Sequence, residues 1–319
     1  MKRLPIVLLT VAMTLAACGG SSAGPAASSS SGPSKVASIA AEVPDSIKAQ
    51  APLGVASDAS YAPNEFINPD TGAVQGWDID FGNAICTVMD VACKFTNVSF
   101  DNIIPQLKAS NSRYAFSLSS WTPTQKREDG GIDFVTYYKA GEAWAVTTGG
   151  PTVKTAADMC GHTVSVQTTT TEEADAWGFM GKQVGGTAIS GGKDNCTAAG
   201  KQDIKVSSFE KQTDVTSALL SGRVEIMWAD QPVTDYAVKQ NNSKLKLAGA
   251  ACSVSPYGIA LVKGSPLERP ITDAVKYLMD KGYYTTILNK WGVTDGAVKS
   301  SDVKLNDNNS IGDSCVPSY

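Results

Sequence analysis

The chain has 319 residues, of which 42% are hydrophobic and 18% are charged, and its formal net charge is −4. The absence of a basic cluster argues against nucleic-acid binding. Beyond the first residues, no apolar run has the ~20 residues that a membrane-spanning helix needs. Length and composition therefore indicate a globular protein of one large or two small domains.

The first elements along the chain are targeting segments. Met1-Lys2-Arg3 precedes an apolar run from Leu4 to Ala12, and small residues then lead to Leu15-Ala16-Ala17-Cys18. This order predicts a signal peptide over residues 1–17. The Leu-Ala-Ala-Cys ending looks like a bacterial lipobox, in which the cysteine is lipidated and becomes the first mature residue. We therefore expect an extracytoplasmic protein that is lipid-anchored to the cell membrane. The alternative is a plain secreted protein with a chance Cys18.

A low-complexity stretch follows the signal. Residues 19–34 are almost wholly Gly, Ser, Ala and Pro, and this composition buries too little apolar surface to order itself. We predict that the lipidated Cys18 and a flexible tether occupy residues 18–48. Without Lys2 and Arg3, the mature chain has 25 basic and 31 acidic residues, a net charge of −6.

From residue 52 onward, strand and helix patterns alternate. Short apolar runs predict strands at 53–56, 94–98, 114–118, 143–147, 163–166, 204–209, 225–228 and 257–262. Helical spacing predicts helices at 77–89, 101–107, from 172 onward, 215–220, 233–239, 271–279 and 284–291. Asp101 is the predicted cap of the second helix. Such alternation is typical of α/β layers with mostly parallel strands.

The strands fall into two series, which predicts two lobes. The closing strand and helices have no partners of their own, so we expect them to return to the first lobe and the chain to cross twice between lobes. The predicted segments are the first lobe at 49–141, the second lobe at 142–255, the return at 256–301 and a polar tail at 302–319.

Six cysteines remain after Cys18, an even number that suits an oxidising compartment. Six cysteines allow 15 pairings, and the sequence does not choose among them. Cys86 and Cys93 lie seven apart at a helix-to-strand turn and are the first pair that we expect. Cys160 and Cys196 bracket one strand–helix segment, which leaves Cys252 with Cys315. A zinc site is disfavoured because there is no C-x-x-C pair and His162 is the only histidine; we expect no metal and no cofactor.

Ligands of such sheets bind beyond the carboxyl ends of the strands. After the 114–118 strand, Ser119 and Ser120 precede Thr122, which with Pro123 and Gln125 forms a capping-box pattern. Arg127 follows shortly after the start of that helix, and its planar guanidinium matches a carboxylate bidentately. The alternative for Arg127 is a solvated helix residue.

The second lobe repeats this arrangement. Thr170 and Thr171 precede Glu172 and Glu173 after the 163–166 strand, and a helix N-terminus there suits an anion. The two glutamates fit helix-capping roles better than catalytic ones. Asp230 follows the 225–228 strand, where it could accept N–H bonds from an ammonium group. The alternative for Asp230 is a capping residue of the next helix.

These residues together resemble the family-3 extracellular solute-binding proteins, which are amino-acid receptors of bacterial ABC importers. The resemblance covers most of residues 53–291 and is greatest to the histidine and lysine/arginine/ornithine-binding proteins. It rests on five segments: Val55–Pro63, Gly76–Asp80 with the Cys86/Cys93 pair, Phe100–Pro105, Ser119–Arg127 as a Ser-x-Thr-x-Thr-x-x-Arg signature, and Gly222–Glu225 followed by Asp230. The resemblance implies a type II periplasmic-binding-protein-like fold with two crossover strands.

The resemblance also implies roles for single residues. Arg127 grips the ligand carboxylate with the backbone N–H groups of Thr122 and Thr171, beside Ser119 and Thr170. Asp230 and Ser120 hold the α-ammonium group. Tyr61 and Phe100 form aromatic walls, and Asp58 contacts cationic side chains. Core packing is the alternative for four aromatic residues, which are Tyr61, Trp77, Phe100 and Trp121.

Three departures from the family pattern concern the side-chain pocket. Thr169 replaces a usual glycine, Trp121 is bulkier than the usual aliphatic residue, and Asn64-Glu65 disrupts a common Pro-Phe pair. The ligand that we expect is therefore an amino acid of basic or polar type, and its identity stays open.

The function implied is capture of an amino acid by hinge closure and delivery to the permease subunits of an ABC importer, by a monomer. One alternative is an enzyme on the same scaffold, similar to cyclohexadienyl dehydratases. Catalysis needs a positioned acid or base, and no histidine lies near the motifs, so we expect no enzyme activity. Another alternative is a ligand-binding partner of a membrane signalling receptor.

Overall fold

A computed structural model of the protein describes residues 32–308 and 314–316. The predicted signal peptide, Cys18 and residues 19–31 lie outside this range. The strands are β1 (Leu53–Ser57), β2 (Ser60–Tyr61), β3 (Glu65–Ile67), β4 (Val74–Gln75), β5 (Cys93–Asn97), β6 (Tyr114–Trp121), β7 (Ile132–Thr147), β8 (Thr163–Gln167), β9 (Lys205–Phe209), β10 (Ile226–Asp230) and β11 (Leu245–Val262).

The helices connect these strands and cover the sheet. They are α1 (Ala37–Glu42), α2 (Asp45–Lys48), α3 (Trp77–Val88), α4 (Phe100–Leu107), α5 (Gln125–Asp129), α6 (Thr171–Gly178), α7 (Asn195–Ala198), α8 (Gln212–Leu220), α9 (Gln231–Gln240), α10 (Glu268–Asp280) and α11 (Tyr283–Trp291). Within residues 32–308 and 314–316, no helix has both the length and the apolar character that crossing a bilayer requires.

Eight strands form one sheet in the order β5-β1-β6-β11-β7-β10-β8-β9. On one side β1 pairs in parallel with β5 and β6, and on the other side β8 pairs in parallel with β9 and β10. β7 and β11 are antiparallel to each other and have 16 and 18 residues. β6 pairs with one end of β11 and β10 with the far end of β7. The two long strands therefore carry the chain from one lobe to the other, as predicted.

Each lobe has a hydrophobic core of its own. The first lobe, around β1, β5 and β6, buries Trp77, Phe81, Phe116, Ile259 and Ile271 among others. The second lobe, around β8, β9 and β10, buries Trp144, Val164, Phe179 and Trp228 among others. In α3 the apolar residues at the predicted helical spacing are buried, because the helix packs between the sheet and helices α10 and α11.

Three disulfides are present in the structure. They join Cys86 to Cys93, Cys160 to Cys196, and Cys252 to Cys315. These are the pairings that the sequence favoured. The third bridge fastens the described end of the tail to β11.

Some predicted boundaries are wrong. The tether does not extend to residue 48, because α1 and α2 are ordered there and Ile39 and Val43 are buried in the core of the first lobe. Asp101 does not cap its helix, which begins at Phe100; Asp101 lies in the first turn, where its charge suits the positive end of the helix dipole. The predicted strands at 143–147 and 257–262 are only the ends of β7 and β11.

The predicted capping box at Thr122 is also wrong. β6 continues through Ser119 and Ser120 to Trp121, which delays the next helix by two residues. Helix α5 begins at Gln125, and its cap is Thr124, whose hydroxyl accepts a hydrogen bond from the Arg127 N–H at 3.3 Å. Thr122 is left in the loop between strand and helix.

Candidate functional site

A small cavity lies between the two lobes, beyond the carboxyl ends of β1, β6, β8 and β10. This is where an open α/β sheet places its ligands. Its lining residues are Asp58, Tyr61, Glu65, Phe100, Ser119, Ser120, Thr122, Arg127, Gln167, Thr170, Thr171, Glu172 and Asp230.

All ten residues that the sequence assigned to ligand binding line this one cavity. The structure therefore brings together groups from the two lobes that lie up to 172 positions apart, from Asp58 to Asp230. Their contacts with a ligand stay a prediction. Three further lining residues, Glu65, Gln167 and Glu172, were not assigned to the site.

Arg127 projects from α5 towards the second lobe. Its Nη1 donates to the Thr122 carbonyl at 2.7 Å and its Nη2 to the Thr169 carbonyl at 3.0 Å. The guanidinium also lies 4.9 Å from the ring centre of Trp121 and 5.5 Å from that of Phe100. Burial lowers the pKa of Arg127 to about 10, so the side chain stays charged at neutral pH. These contacts hold a fixed positive charge at the cavity and distinguish Arg127 from a solvated helix residue.

Asp230 ends β10 and precedes α9. It occupies the cap position, but its side chain makes no capping hydrogen bond. Instead its Oδ2 accepts a hydrogen bond from the Tyr61 hydroxyl at 2.9 Å. Burial, and then the nearby charge of Glu172, raise the pKa of Asp230 well above its usual range. The capping alternative is therefore excluded, and the carboxyl group is directed to the cavity.

Asp58 follows β1 on the opposite wall. Its Oδ1 accepts from the Ser60 N–H at 3.1 Å, and its Oδ2 accepts from the Phe100 N–H at 3.0 Å and from the Gln167 Nε2 at 2.7 Å. Burial raises the pKa of Asp58, and the hydrogen bonds oppose that shift. Asp58 is thus an acid on the first lobe that a side chain of the second lobe already contacts.

The N-terminus of α6 faces the cavity from the second lobe. The Thr170 hydroxyl caps it by accepting from the Glu173 N–H at 3.2 Å. Thr169 has a φ of 62°, which is the left-handed region that a β-branched residue rarely adopts. The family pattern that the sequence resembles has glycine here, a residue that adopts this conformation at no steric cost. Glu172 is 2% exposed, and burial raises the pKa of its carboxyl group.

The aromatic residues divide into two groups. Tyr61 and Phe100 line the cavity, and their role as walls around a ligand side chain stays a prediction. Trp121 stacks on Phe100 with ring centres 4.1 Å apart and lies behind it in the core, while Trp77 is buried in the first lobe. The core-packing alternative therefore holds for the two tryptophans, and Trp121 does not crowd the cavity directly.

The two lobes meet across the cavity in a closed arrangement. Besides the bonds of Arg127 to Thr169, Tyr61 to Asp230 and Gln167 to Asp58, the Gln212 N–H donates to the Ser60 hydroxyl at 3.0 Å. These four hydrogen bonds join residues of both lobes. A ligand in the cavity would be enclosed by both lobes.

The three residues missed by the sequence analysis differ in how they could have been found. Gln167 ends β8, so the rule that ligands bind at strand ends could have identified it. Glu172 was assigned a helix-capping role, and only the structure, in which the residue is buried, reveals that it lines the cavity. Glu65 was noted merely as a departure from the family pattern, and no sequence signal placed it beside Ser119.

Comparisons with known proteins agree with this geometry. Residues 53–294 match the family of bacterial extracellular solute-binding proteins, family 3. The arginine-binding protein ArgT of Corynebacterium glutamicum is 28% identical over 82% of this chain and 81% of its own length. The glutamine-binding protein GlnH, an ABC transporter component of Bacillus subtilis, is 25% identical over 92% of this chain and 97% of its own.

Solved structures give the same result. An ancestral arginine-binding protein bound to arginine is 31% identical, with a TM-score of 0.63 over 75% of this chain and 97% of its own; its glutamine-bound structure also has a TM-score of 0.63. These neighbours confirm the two-lobe periplasmic-binding fold. Because the relatives are amino-acid-binding proteins, the prediction of a binding protein rather than an enzyme is confirmed. The chain belongs to the bacterial extracellular solute-binding proteins of family 3.

Proposed function

We propose that this protein captures a basic amino acid of the arginine or lysine type outside the cytoplasm and delivers it to an ABC importer. The observation that carries the proposal is the set of ionisable groups that face the cavity. Asp58 of the first lobe and Asp230 of the second lobe line it together with the guanidinium of Arg127. A ligand with two positive groups and one negative group complements this arrangement. Relatives named as arginine-binding proteins support the same choice.

Each end of the ligand has a partner in the proposal. The α-carboxylate binds Arg127 and the N–H groups of Thr122 and Thr171, and the α-ammonium group binds Asp230 and Ser120. The side chain passes between Tyr61 and Phe100 towards Asp58. Because all three ligand charges leave water, each needs a partner; otherwise the desolvation cost exceeds the attraction.

A thermal-shift screen over the twenty amino acids, ornithine and citrulline tests the proposal. A ligand at 100 times its Kd stabilises the folded protein by about 2.7 kcal/mol. We expect the largest shifts with arginine, lysine or ornithine, and small shifts with acidic and large apolar amino acids. A screen in which only neutral or acidic amino acids stabilise the protein would refute the basic-ligand proposal.

Membrane attachment is the second part of the proposal. Lipidated Cys18 and the Gly/Ser-rich stretch hold the receptor near the permease subunits of its importer, and the receptor acts there as a monomer. The Cys18→Ser variant expressed in a bacterial host should move from the membrane fraction to the soluble fraction. Retention of that variant in the membrane fraction would contradict the lipid anchor.

A further inference from the structure

The C-terminal tail is attached to the first lobe where it runs along β7. The Lys304 carbonyl accepts a hydrogen bond from the Thr136 N–H at 2.9 Å, and the Asn306 N–H donates to the Phe134 carbonyl at 2.9 Å. Val303, at the start of this run, is buried in the hydrophobic core of the first lobe. Backbone pairing and core packing together fix this part of the tail to that lobe.

The tail also contacts the helix that carries Arg127. The Asn308 Nδ2 donates a hydrogen bond to the Gln125 Oε1 at 3.1 Å and another to the Glu128 Oε2 at 3.3 Å, and both acceptors lie on α5. Residues 303–308 therefore form one continuous anchor, which holds the tail against β7 and α5 of the first lobe.

A second anchor holds the tail to the second lobe. Cys315 forms the disulfide with Cys252 of β11, and its N–H donates to the Ser253 hydroxyl at 2.9 Å. Cys315 and Val316 are both buried, and they pack in the same hydrophobic core as Trp144. The tail is thus fixed to the second lobe by a covalent bond and by burial.

The two anchors lie on opposite sides of the hinge. β6 pairs with β11 as far as Gly258, which lies opposite Thr136, so the first anchor is on the first-lobe side. β10 pairs with β7 as far as Glu142, which lies opposite Cys252, so the second anchor is on the second-lobe side. The register of the β7–β11 pair shifts on both sides of Cys252. The tail is therefore a third connection between the lobes, beside β7 and β11.

We propose that the C-terminal tail is a strap across the hinge, which limits how far the lobes open and so favours the closed form. Ser314 is six positions after Asn308, and an extended chain of that length spans at most about 22 Å. Open states that need a larger separation of the two anchors are excluded. Both anchors are made in the closed arrangement, so the restriction acts on the open states alone and shifts the equilibrium towards closure.

A disulfide within one lobe does not have this effect. Cys160 and Cys196 both pack in the core of the second lobe, so their bridge stabilises that lobe without restricting its motion relative to the first. The ring closed by Cys252 and Cys315 is different. It runs along β11 into the first lobe, through α10 and α11, and back along the tail to the second lobe.

Distances between the lobes of the ligand-free protein test the strap. Asp101 on α4 and Asp214 on α8 are exposed residues in the first turns of helices from different lobes. Nitroxide labels attached there through a ketone-bearing amino acid leave every cysteine unaltered, and pulsed electron paramagnetic resonance measures their separation. In the variant Cys252→Ser/Cys315→Ser we expect the distribution to extend to longer distances. A distribution equal to that of the unaltered chain would overturn the strap.

Two further variants separate the strap from local stabilisation. Cys160→Ser/Cys196→Ser removes a bridge of similar kind within one lobe and should keep the distance distribution of the unaltered chain. Insertion of about ten Gly and Ser residues after residue 310 keeps both anchors and all cysteines but lengthens the connection. We expect this insertion to widen the distribution as loss of the Cys252–Cys315 bridge does. An insertion without effect on the distances would overturn the strap.

Ligand affinity supplies a second readout. Because a longer connection lowers the population of the closed form, the insertion variant should bind L-arginine about 3–10-fold more weakly than the unaltered protein in titration calorimetry. An equal affinity for L-arginine would overturn the link between strap and binding. The distance measurement uses ligand-free protein, so it decides on the strap even where the unaltered protein binds no basic amino acid and the proposed function fails.

Discussion

At the scale of single residues, Arg127 supplies the positive charge that the proposed binding of the α-carboxylate needs. Removing one partner of a buried charge pair costs roughly 3–5 kcal/mol. Arg127→Ala should therefore weaken amino-acid binding ~100-fold or more in titration calorimetry. Lys126→Ala, an exposed lysine on the same helix, is the control and should leave the affinity unchanged. Equal affinities of the two variants would remove Arg127 from the site.

Asp230 gives the matching prediction on the second lobe. Asp230→Asn keeps the shape of the side chain and a hydrogen-bond acceptor for the Tyr61 hydroxyl, but it removes the negative charge. We expect a loss of binding of ~100-fold or more, because the α-ammonium group is left without its counter-charge. Tyr61→Phe should lose only ~5-fold, the value of one hydrogen bond. A variant Asp230→Asn that binds as the unaltered protein does would contradict the assigned role.

At the scale of elements, helix α6 concentrates acids near the cavity. Burial and the charge of Glu172 raise the pKa of Asp175 to about 7. The folded state then holds a proton that the unfolded chain loses near pH 4, so Asp175 makes stability fall as pH rises from about 4 to about 7. Asp175→Asn removes this effect. In urea unfolding the variant should match the unaltered protein near pH 4 and exceed it by about 1–3 kcal/mol at pH 8. A stability gain independent of pH would contradict the assigned pKa.

The C-terminal tail is the other element for which we expect an effect on stability. Lys304 and Asn306 form backbone hydrogen bonds to β7, and the Cys252–Cys315 bridge joins the tail to β11 across a separation of 63 residues. Replacing both cysteines by serine should cost about 2–4 kcal/mol of unfolding free energy, since the bridge restricts the unfolded chain. Urea unfolding of the double variant measures this cost. An unchanged midpoint would show that the bridge adds nothing to stability.

At the scale of the whole molecule, periodicity and order of elements were enough to predict an α/β fold with two lobes and two crossings. Strand ends and helix starts pointed to the lining residues around Arg127, Thr171 and Asp230, whereas Asp58, Tyr61 and Phe100 were assigned through the family resemblance. The sequence did not predict the length of β7 and β11, because their continuation depends on pairing between distant segments. It did not predict Glu65 as a lining residue, because the contact of Glu65 with Ser119 joins segments that are distant in the sequence.

The same limit explains the error at Thr122. Thr122 and Thr124 both fit the cap position of a helix. Which of the two caps α5 depends on where β6 ends. The error at the tether has a similar cause. Val36, Ile39 and Val43 lie next to a low-complexity stretch, and they are ordered by packing in the core of the first lobe. Local patterns predicted the kinds of element, and tertiary contacts decided their ends.

Calorimetric titration of the unaltered protein with L-arginine and L-lysine tests the central claim most directly. We expect saturable binding at one site per chain, with a Kd of ~1 μM, which corresponds to about −8 kcal/mol. Arg127→Ala should shift the Kd of the same ligand towards ~100 μM or weaker. No binding heat with either ligand up to millimolar concentration would contradict the claim that this cavity is built for a basic amino acid.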